Sequence, residues 1–500
     1  MKTINYNLLG MLLLGMISCS KETNEVSHEK IFSNISKKDA PAVFTNPIPS
    51  DGGNYQDPWV VYAGGYYYYV HSDGGQIFVY KSSILQNVLL GTKVSIFLPS
   101  AGQPYSYNIW APEMHYLNGR WYVYFAADDG NNENHRMFVL EGGTDANDPL
   151  NGQFVFKAQL APTTDRWAID GTPFYFNGQL YFVWSGWPGT TNVTQRLYIA
   201  KMSNPYTITG DRVEISAPIY SWEQVGASPS VNEGPQVLIS GNVVHIIYSA
   251  SGSWTDYYCL GRITCTDSNL MNPASWVKNS TSVFANFDQV YAPGHACFVK
   301  SPDGLQWWIV YHANKYKGST WQRNIRIQQF TWENNYPYFG YPVNPGIPLA
   351  SPTNGNAMVI ANGTYRVINK VTGQCLDVPS GMNTPGLKIQ QWPDNGNIAQ
   401  KWTFAYMGDG YYKIIAACNG LSLDNPGGSY YAGAIIQQWH DNGLLPQRWI
   451  IYSIGDGYYR IINGKSLMAL NVPYSNTTPG TKIEQWYQNQ YDAELWQIIP

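Results

Sequence analysis

The C-terminal part of the chain repeats one sequence pattern three times, with a period of about 45 residues. Each copy opens on a tyrosine-containing run of strand type, passes through a Leu-Asp or Leu-Asn pair, and closes on two segments that end in Trp. A unit of this size cannot bury its apolar face alone, so three copies predict a three-fold β-trefoil over residues 358–500. The matching segments are Gly363–Asn369, Gly410–Ile415 and Gly457–Asn463, then Ile389–Trp392, Ile436–Trp439 and Ile483–Trp486, and last Gln400–Trp402, Gln447–Trp449 and Glu494–Trp496.

Residues 45–350 carry a different repetition, in which strand-like runs follow Gly-Gly, Asn-Gly, Asp-Gly or similar turns. Such turns between β-rich runs are a strong hairpin signal. They recur about every 55–65 residues, which is typical of a β-propeller with about five blades. The chain is therefore predicted to be all-β, with residues 337–352 as the linker or closing edge between the two domains. The five runs are Tyr66–Val70, Trp121–Phe125, Leu180–Trp184, Val243–Tyr248 and Trp307–Tyr311.

The first 19 residues indicate export. Lys2 precedes an apolar run over residues 8–17 that is too short to span a bilayer. Ser18 and Cys19 resemble the lipobox of bacterial lipoproteins, in which the cysteine is lipidated. Residues 20–44 are polar and predict a flexible tether. We therefore expect a bacterial lipoprotein anchored to a membrane, in the outer membrane, at the cell surface or facing the periplasm.

The amino-acid composition limits the kinds of molecule that the chain is expected to bind. Aromatic residues make up 15% of the chain and charged residues only 13%. The aromatics fit cross-strand pairs in a large β core, and they also fit stacking on sugar rings. A net charge of −4 without a basic block excludes nucleic acid as an expected partner. No cysteine spacing is typical of a metal site, although Cys259 and Cys265 could pair in an exported protein. We expect a monomer.

Three carboxylic acids stand in similar surroundings. Asp57, Asp170 and Glu233 each lie beside a turn of small residues or proline, among aromatic or apolar residues. A single acid in such a place is usually a solvated loop residue. Three of them suit an enzyme that cleaves glycosidic bonds, because that reaction uses carboxyl groups as acid and base.

The order of the motifs carries a family resemblance. Residues 50–345 resemble glycoside hydrolase family 43, a five-bladed propeller, with Ala292 standing where the family more commonly has Gly. Residues 360–500 resemble the ricin-type trefoil, carbohydrate-binding module family 13. Besides the three acid stretches, the propeller motifs are Ile109–Glu113, Trp184–Gly186, Ala292–His295, Tyr311–Ala313 and Arg323–Gln328.

The resemblance implies a role for each acid. Asp57 would be the general base that activates water, and Glu233 the general acid that protonates the leaving oxygen. Asp170 would orient the acid and raise its proton affinity by like-charge proximity. An inverting glycosidase needs its two carboxyls roughly 6.5–9.5 Å apart to admit water. Three acids from three blades that point into one funnel can meet that requirement.

Three further propeller residues are implied with less specific signals. Trp110 would be an aromatic platform beside the cleaved sugar, or a core residue of its blade. Arg323 would contact substrate hydroxyls, or form a salt bridge in the last blade. His295 would lie near the axis and contact a structural calcium ion through water, or be an ordinary core histidine. The chemistry itself needs no cofactor.

The trefoil repeats predict two sugar sites. In the family the Asp accepts from hydroxyls, the Trp stacks on the ring and the amides complete the site. An Asn usually precedes the last Gln, but here Ala399 and Pro446 stand there. The third repeat has Asn471, Glu484 and Glu494 instead, and we expect it to be structural only. The predicted site residues are Asp377, Gln390, Trp392 and Gln400 in the first repeat and Asp424, Gln437, Trp439 and Gln447 in the second.

The finer resemblance favours an inverting, exo-acting α-L-arabinofuranosidase that removes arabinose from plant polysaccharides such as arabinan, arabinoxylan or arabinogalactan. It rests on residues 165–171, 183–187 and 248–254. β-Xylosidase and endo-arabinanase remain alternatives because the same three acids serve them. Galactan-active members of the family can lack the base, whereas Asp57 is present here. A glycan-binding lipoprotein with an inactive propeller is the alternative of a different class.

Overall fold

A computed structural model describes residues 43–226, 228–352, 359–408 and 410–500. Cys19, the export segment and residues 20–42 of the predicted tether lie outside the described residues. Within the described ranges the regular elements are strands and short 3₁₀ turns, which confirms the predicted all-β class. No helix in these ranges is long and apolar enough to cross a membrane. The 3₁₀ turns are Leu85–Leu90, Asn132–Asn134, Ser221–Glu223, Pro273–Ser275, Pro379–Gly381, Ile398–Gln400, Pro426–Gly428, Leu445–Gln447, Pro473–Ser475 and Asp492–Glu494.

After a short first strand, residues 59–338 form five consecutive groups of four antiparallel strands that pair in sequence order. The strands are β1 (Val43–Thr45), then β2 (Trp59–Ala63), β3 (Tyr66–Asp73), β4 (Gln76–Ser82), β5 (Thr92–Phe97), β6 (Tyr107–Leu117), β7 (Arg120–Asp128), β8 (Arg136–Glu141), β9 (Val155–Leu160), β10 (Ala168–Phe176), β11 (Gln179–Gly186), β12 (Thr194–Asn204), β13 (Thr207–Ser216), β14 (Ser230–Ser240), β15 (Val243–Ala250), β16 (Cys259–Cys265), β17 (Trp276–Lys278), β18 (Gly294–Lys300), β19 (Trp307–Asn314), β20 (Arg323–Glu333) and β21 (Tyr336–Tyr338).

The first strands of the five groups form a ring. β2 contacts β6, β6 contacts β10, β10 contacts β14, β14 contacts β18, and β18 returns to β2. The five runs identified in the sequence are the second strands, β3, β7, β11, β15 and β19, each following a tight turn. Asn118-Gly119 and Asn177-Gly178 have positive φ at both turn residues, as the common two-residue hairpin turn requires. The ring brings every first strand to one central axis.

The blades pack face to face, which explains the aromatic content. Along β3, Tyr67 and Tyr69 belong to one apolar cluster, while Tyr68 and Val70 belong to the cluster on the opposite face. All four side chains are buried. A strand buried on both faces needs apolar residues at every position, so tyrosine and tryptophan are used here largely as core.

The positions of two cysteines exclude the disulfide that the sequence allowed. Cys259 and Cys265 are the two ends of the same strand, β16, and both are free. Six residues of extended chain separate them by roughly 20 Å, far beyond the Cα separation a disulfide allows. The predicted pairing is therefore wrong.

The C-terminal region is the predicted trefoil, with three repeats of four strands. β23 pairs with β34, so the first and last strands close the repeats on each other. Its core holds three fully buried tryptophans, Trp402, Trp449 and Trp496, whose indole N–H groups donate to the carbonyls of Leu376, Leu423 and Leu470. The strands are β22 (Pro348–Ala350), which precedes the trefoil, and β23 (Gly363–Asn369), β24 (Cys375–Asp377), β25 (Gln390–Trp392), β26 (Lys401–Tyr406), β27 (Tyr412–Ala416), β28 (Ser422–Asp424), β29 (Gln437–Trp439), β30 (Trp449–Gly455), β31 (Tyr458–Asn463), β32 (Ala469–Asn471), β33 (Glu484–Trp486) and β34 (Trp496–Ile499).

The propeller and the trefoil contact each other directly and belong to one compact unit. β22 pairs with β1 beside the first and last blades. The Tyr452 hydroxyl of the trefoil donates to the carbonyl of Pro348 at 3.1 Å. The ring of Tyr487 lies 4.6 Å from that of Phe287 and 4.8 Å from that of Tyr341. This aromatic seam sets the trefoil in a defined orientation against the propeller.

Candidate active site

One cavity at the propeller axis contains all three predicted acids. Its volume is about 470 Å³, within the usual range for a small-molecule site. Asp57, Asp170 and Glu233 line it together with Trp110, His295 and Arg323, so the fold unites the predicted propeller site residues. Its remaining lining is aromatic or polar except for two aliphatic residues: Gln56, Asn132, Trp167, Ile169, Asn192, Gln195, Pro229, Ser253, Trp254, Tyr258 and Trp321.

An irregular backbone position at each blade aims side chains into this cavity. The strand registers shift around Ala111 in β6, Asp170 in β10, Gly234 in β14 and His295 in β18, which marks a bulge in each strand. All four residues have positive φ, as does Asp57 just before β2. A bulge re-aims the residues around it and is common beside active sites. The acid motifs of the sequence are therefore the bulges of the inner strands.

Asp57 is held in its ionised form. Its backbone N–H donates to His312 Nδ1 at 3.1 Å. Its Oδ1 lies 3.3 Å from His295 Nδ1 and 3.9 Å from Arg323 Nη1. Burial opposes a charge here, but these neighbours outweigh it and hold the pKa of the Asp57 carboxyl well below its usual range. This is the state that a general base requires.

Asp170 and Glu233 form a coupled buried pair. The backbone N–H of Gly234 donates to Asp170 Oδ2 at 2.9 Å, which ties Asp170 to the residue after Glu233. Both carboxyls are less than 8% exposed. Burial is the largest cause of the raised pKa of Asp170, and the charge of Glu233 adds to it. The pair therefore binds a proton more tightly than two solvated acids would.

Glu233 has the properties of a general acid. Burial, reinforced by the charge of Asp57, raises the pKa of Glu233 to about 7, although a hydrogen bond from Tyr258 opposes the rise. That hydroxyl donates to Glu233 Oε1 at 2.9 Å. Asp170 was predicted to raise this proton affinity by like-charge proximity; burial is the largest cause of the raised pKa, and the charge that adds to it is that of Asp57. One cavity thus holds an ionised carboxyl and a carboxyl that is protonated below neutral pH.

Trp110 and Arg323 both face the cavity. Trp110 is half-buried, stacks on the buried His135 ring at 4.0 Å and packs against the apolar core of its blade, so it both lines the cavity and contributes to the core. Arg323 is only 2% exposed. Its guanidinium lies beside Asp57, donates to the carbonyl of Ser253 at 2.5 Å and stacks on Trp321 at 4.7 Å. These contacts fix the cation at the cavity floor.

His295 does not build a metal site by itself. A Cβ at Gly234 would lie 3.1 Å from the His295 ring, so only glycine lets the two inner strands approach this closely. Calcium takes six to eight oxygen ligands. The described ranges contain no group of three or more His, Cys, Asp or Glu side chains placed to hold a metal ion. These residues therefore do not fit a directly coordinated calcium, and an ion held through water remains a proposal.

Tyr258 was not predicted from the sequence, and His312 and Trp254 lie in predicted motifs without an assigned role. Tyr258 contacts the acid, its ring stacks on His312 at 5.6 Å, and His312 contacts the base. Tyr258 lies in an ordinary aromatic run. Local sequence assigns none of the three a role, because their roles come from contacts with neighbouring blades.

The trefoil places its predicted sugar residues in two layers. Gln390 donates to Asp377 and Gln437 donates to Asp424, both at 2.8 Å. Trp392 and Trp439 are each 41% exposed, as stacking platforms must be.

Gln400 and Gln447 lie beneath these sites and not in them, which corrects the expectation that they contact sugar. Both are fully buried. Gln400 accepts from the Asn395 N–H and donates to the Pro393 carbonyl, and Gln447 makes the same two bonds in its own loop. They brace the loop under each site.

In the third repeat the acid and the amide exchange places. Asn471 donates to Glu484 at 2.9 Å, so the pair survives with its donor reversed. Glu494 takes the bracing position, where it accepts from the Asn489 N–H and lies 3.7 Å from Arg460.

The family models match both regions. Residues 44–337 match glycosyl hydrolases family 43, and three overlapping segments, 357–439, 398–486 and 445–500, match the ricin-type beta-trefoil lectin domain-like family. Over 318 residues the chain is 36% identical to an extracellular exo-α-(1→5)-L-arabinofuranosidase of Streptomyces avermitilis, covering 61% of this chain and 64% of the relative. It is 36% identical over 322 residues to α-L-arabinofuranosidase 43 of Humicola insolens, covering 61% and 65%.

A solved structure agrees. The α-L-arabinofuranosidase of Lactobacillus brevis superposes with a TM-score of 0.55 at 30% identity, covering 61% of this chain and 98% of that one. A propeller whose axial cavity holds one ionised and one protonated carboxyl has the kind of site that a glycosidase requires. The chain belongs to glycosyl hydrolases family 43, with a ricin-type trefoil at its C-terminal side. It spans less than two thirds of the length of the two curated relatives named above.

Proposed function

We propose that the propeller is an inverting, exo-acting α-L-arabinofuranosidase that removes arabinose from plant polysaccharides. The observation that carries the proposal is the meeting of Asp57, Asp170 and Glu233 in one aromatic cavity, where His295 and Arg323 lie beside Asp57 while Glu233 is buried. The names of the relatives from Streptomyces avermitilis and Humicola insolens support the sugar. The family also cleaves xylosides, arabinan backbones and galactans, so the substrate needs a direct test.

The reaction uses two proton transfers. Glu233 gives its proton to the glycosidic oxygen as the bond from that oxygen to the anomeric carbon breaks. Asp57 takes a proton from a water molecule whose oxygen bonds to the anomeric carbon from the opposite face. Atoms and charge balance, because one proton leaves Glu233 and one arrives at Asp57. The configuration at the anomeric carbon inverts.

Asp170 acts as a positioning residue. Its carboxylate accepts from the N–H of Gly234 and so holds the bulge that aims Glu233. Arg323 is the buried cation of the cavity, and Trp110 and Trp254 offer flat walls to an arabinose ring. These contacts orient the sugar so that its leaving oxygen meets the acid.

The trefoil supplies carbohydrate binding, through the Asp-Gln-Trp sets of the first two repeats. Two relatives are named extracellular, which supports export of this chain, and Cys19 would anchor it to a bacterial membrane. A polysaccharide held by the trefoil would keep its side chains near the propeller. The working form would be a monomer.

The test is hydrolysis of p-nitrophenyl α-L-arabinofuranoside compared with p-nitrophenyl β-D-xyloside, with Glu233→Gln as the control. We expect arabinofuranoside turnover that falls at least about 10³-fold in the mutant. Faster turnover of the xyloside would make xylose, and not arabinose, the sugar that is removed, with the same mechanism. No turnover of either compound, of arabinan or of arabinogalactan would overturn the enzyme proposal in favour of a glycan-binding protein.

A further inference from the structure

A second large cavity lies where the trefoil meets the propeller. Its volume is about 660 Å³. On the trefoil side it is lined by the second-repeat residues Asp424, Gln437 and Trp439, and on the propeller side by the end of β20 and the following turn. We call this space the seam cavity. It joins the predicted sugar residues of one domain to a hairpin of the other.

The propeller hairpin is fastened to the trefoil by Glu333. Lys465 and the Tyr430 hydroxyl each bond to one oxygen of this carboxylate. The ring of Tyr430 lies 4.1 Å from the ring of Tyr338 on the same hairpin. A Cβ at Gly428 would come within 2.6 Å of Lys465, so the glycine clears the path of the lysine. The propeller and trefoil sides of the cavity are therefore held together by specific contacts.

The turn itself presents an amide to the cavity. Asn334 is exposed, has a φ of 50° and follows Glu333 in a two-residue hairpin turn. Two buried polar atoms of lining residues have no protein partner, Trp332 Nε1 from the propeller and Asn425 Oδ1 from the trefoil. One is a donor and one an acceptor, and burying them without partners costs free energy. Both atoms lie just behind the cavity surface, so the exposed amide of Asn334 is the polar group on the propeller side that a hydroxylated ligand reaches directly.

The chemistry of the lining points to a neutral saccharide. Trp439 offers a half-exposed aromatic face, and the Asp424–Gln437 pair and Asn442 offer acceptors and donors. Lys465 and Glu333 neutralise each other. The volume fits several sugar units better than one, and aromatic walls come from both domains.

We propose that the seam cavity is one composite site, which binds a neutral oligosaccharide of several units through residues of both the trefoil and the propeller. The proposal rests on the proposed carbohydrate binding of the trefoil. The second-repeat Trp439 stacks on one sugar, and Trp332 and Asn334 contact its neighbours along the chain. A bound oligosaccharide then strengthens the docking of the two domains, because it contacts both.

The test uses the full chain with Glu233→Gln to stop hydrolysis and Trp392→Ala to silence the first repeat. Arabino-oligosaccharides and galacto-oligosaccharides of one to five units are titrated by calorimetry into this parent, and into versions carrying Asn334→Gly or Asn177→Gly. The control Asn177 is an exposed asparagine with φ 48° in another propeller hairpin, outside the cavity. Glycine tolerates positive φ, so both variants keep their turns.

We expect Asn334→Gly to weaken binding of oligosaccharides of three or more units about 3- to 10-fold, as loss of one hydrogen bond does. Binding of the single sugar changes less than about 2-fold, and the control matches the parent at every length. Trp332→Phe, which removes the pyrrole part of the indole together with its N–H, is the second variant and has the same length-dependent effect. Melting temperatures of the free proteins check folding.

Two results would overturn the composite site. If Asn334→Gly and Trp332→Phe bind every length like the parent, while Trp439→Ala abolishes binding, the second repeat binds sugar without the propeller. If the parent binds neither series although the Trp392-containing protein does, the seam cavity is not a saccharide site. If no version binds either series, the carbohydrate role of the trefoil fails as well, and hydrolysis by the propeller stands apart from that result.

Discussion

The propeller and the trefoil are both assembled from repeated strand units, yet they use the repeats differently. Five propeller groups bring their inner strands to one axis, so Asp57, Asp170 and Glu233 come from three groups into a single cavity. Each trefoil repeat keeps its own acid–amide pair next to its own tryptophan. Convergence produces buried, interacting carboxyl groups with shifted pKa values, whereas separation gives each trefoil repeat an acid–amide pair of its own.

Separation lets the trefoil copies diverge. The third repeat reverses its pair to Asn471 and Glu484, and replaces the bracing glutamine by Glu494 beside Arg460. The strand pairing around it is unchanged. In the propeller a comparable change in one acid would alter the other two, because all three share one cavity. Because each repeat carries its own acid–amide pair, one copy can vary at its surface while the shared core stays the same.

The largest effect expected from the shared propeller cavity is that of Asp57→Asn. We expect kcat/KM for an arabinofuranoside to fall at least about 10³-fold, which corresponds to about 4 kcal/mol, because the base is lost. Carbohydrate binding by the trefoil should persist. The exposed Asp73→Asn, in the first blade outside the cavity, is the control and should keep full activity. Loss of polysaccharide binding in Asp57→Asn would show that the two regions do not act separately.

Within the trefoil, Trp449→Ala and Trp439→Ala compare two tryptophans of the same repeat. Trp449 is fully buried and hydrogen-bonded to Leu423, whereas Trp439 is 41% exposed. We expect Trp449→Ala to lower the free energy of unfolding by about 3–5 kcal/mol. Trp439→Ala should change it by about 0.5 kcal/mol or less. Denaturant unfolding measures both, and similar losses would contradict the assignment of core and platform.

The exposed tryptophans also rank the three repeats as sugar sites. Trp392→Ala and Trp439→Ala should each weaken saccharide binding at their own site by about 10-fold, since each loses its stacking face. Trp486→Ala, in the repeat with the reversed pair, should weaken total binding less. Affinity electrophoresis on arabinan or galactan provides the measurement. A larger loss from Trp486→Ala would make the third repeat the principal site and contradict its structural role.

The smallest expected effect concerns the pH profile. Activity requires protonated Glu233, so kcat/KM should decline as the pH rises through about 7, its raised pKa. The Tyr258 hydroxyl stabilises the ionised form of this acid. Tyr258→Phe should therefore raise the pKa further and move the alkaline limb to higher pH, with less than about a 10-fold loss in rate.

Tyr248→Phe provides the matched control for Tyr258→Phe. The Tyr248 hydroxyl donates to Glu223 and not to Glu233, so its loss should leave the limb in place. A limb that moves to lower pH in Tyr258→Phe would contradict the contact with the acid.

Much of the site could be predicted because its residues sit in distinctive local surroundings. Asp170 and Gly234 occupy bulges, where positive φ favours glycine or a short polar residue, and that requirement leaves a recognisable pattern in the sequence. The hairpin turns leave a similar pattern, as Asn177-Gly178 does. Local backbone geometry therefore restricts which residues a position accepts, and it can be predicted from the local sequence.

The unpredicted residues depend on contacts between distant segments. Tyr258 meets Glu233 across two strands, and His312 meets Asp57 from the opposite end of the domain. Gln400 resembles a sugar ligand in the sequence, but it is fully buried and its amide bonds to its own loop. Whether a polar side chain faces a ligand or the backbone beneath it depends on packing, which short-range pattern does not contain.

The sequence by itself determined the all-β class, the two kinds of repeat and the three acids, because turns, bulges and repeat spacing are local properties of the chain. Only the tertiary structure decided which carboxyl is ionised, which tryptophan of each repeat is exposed, and that the second repeat faces the propeller across the seam cavity. Those outcomes depend on burial and on charges from distant segments, and both are set when the blades and repeats close on each other.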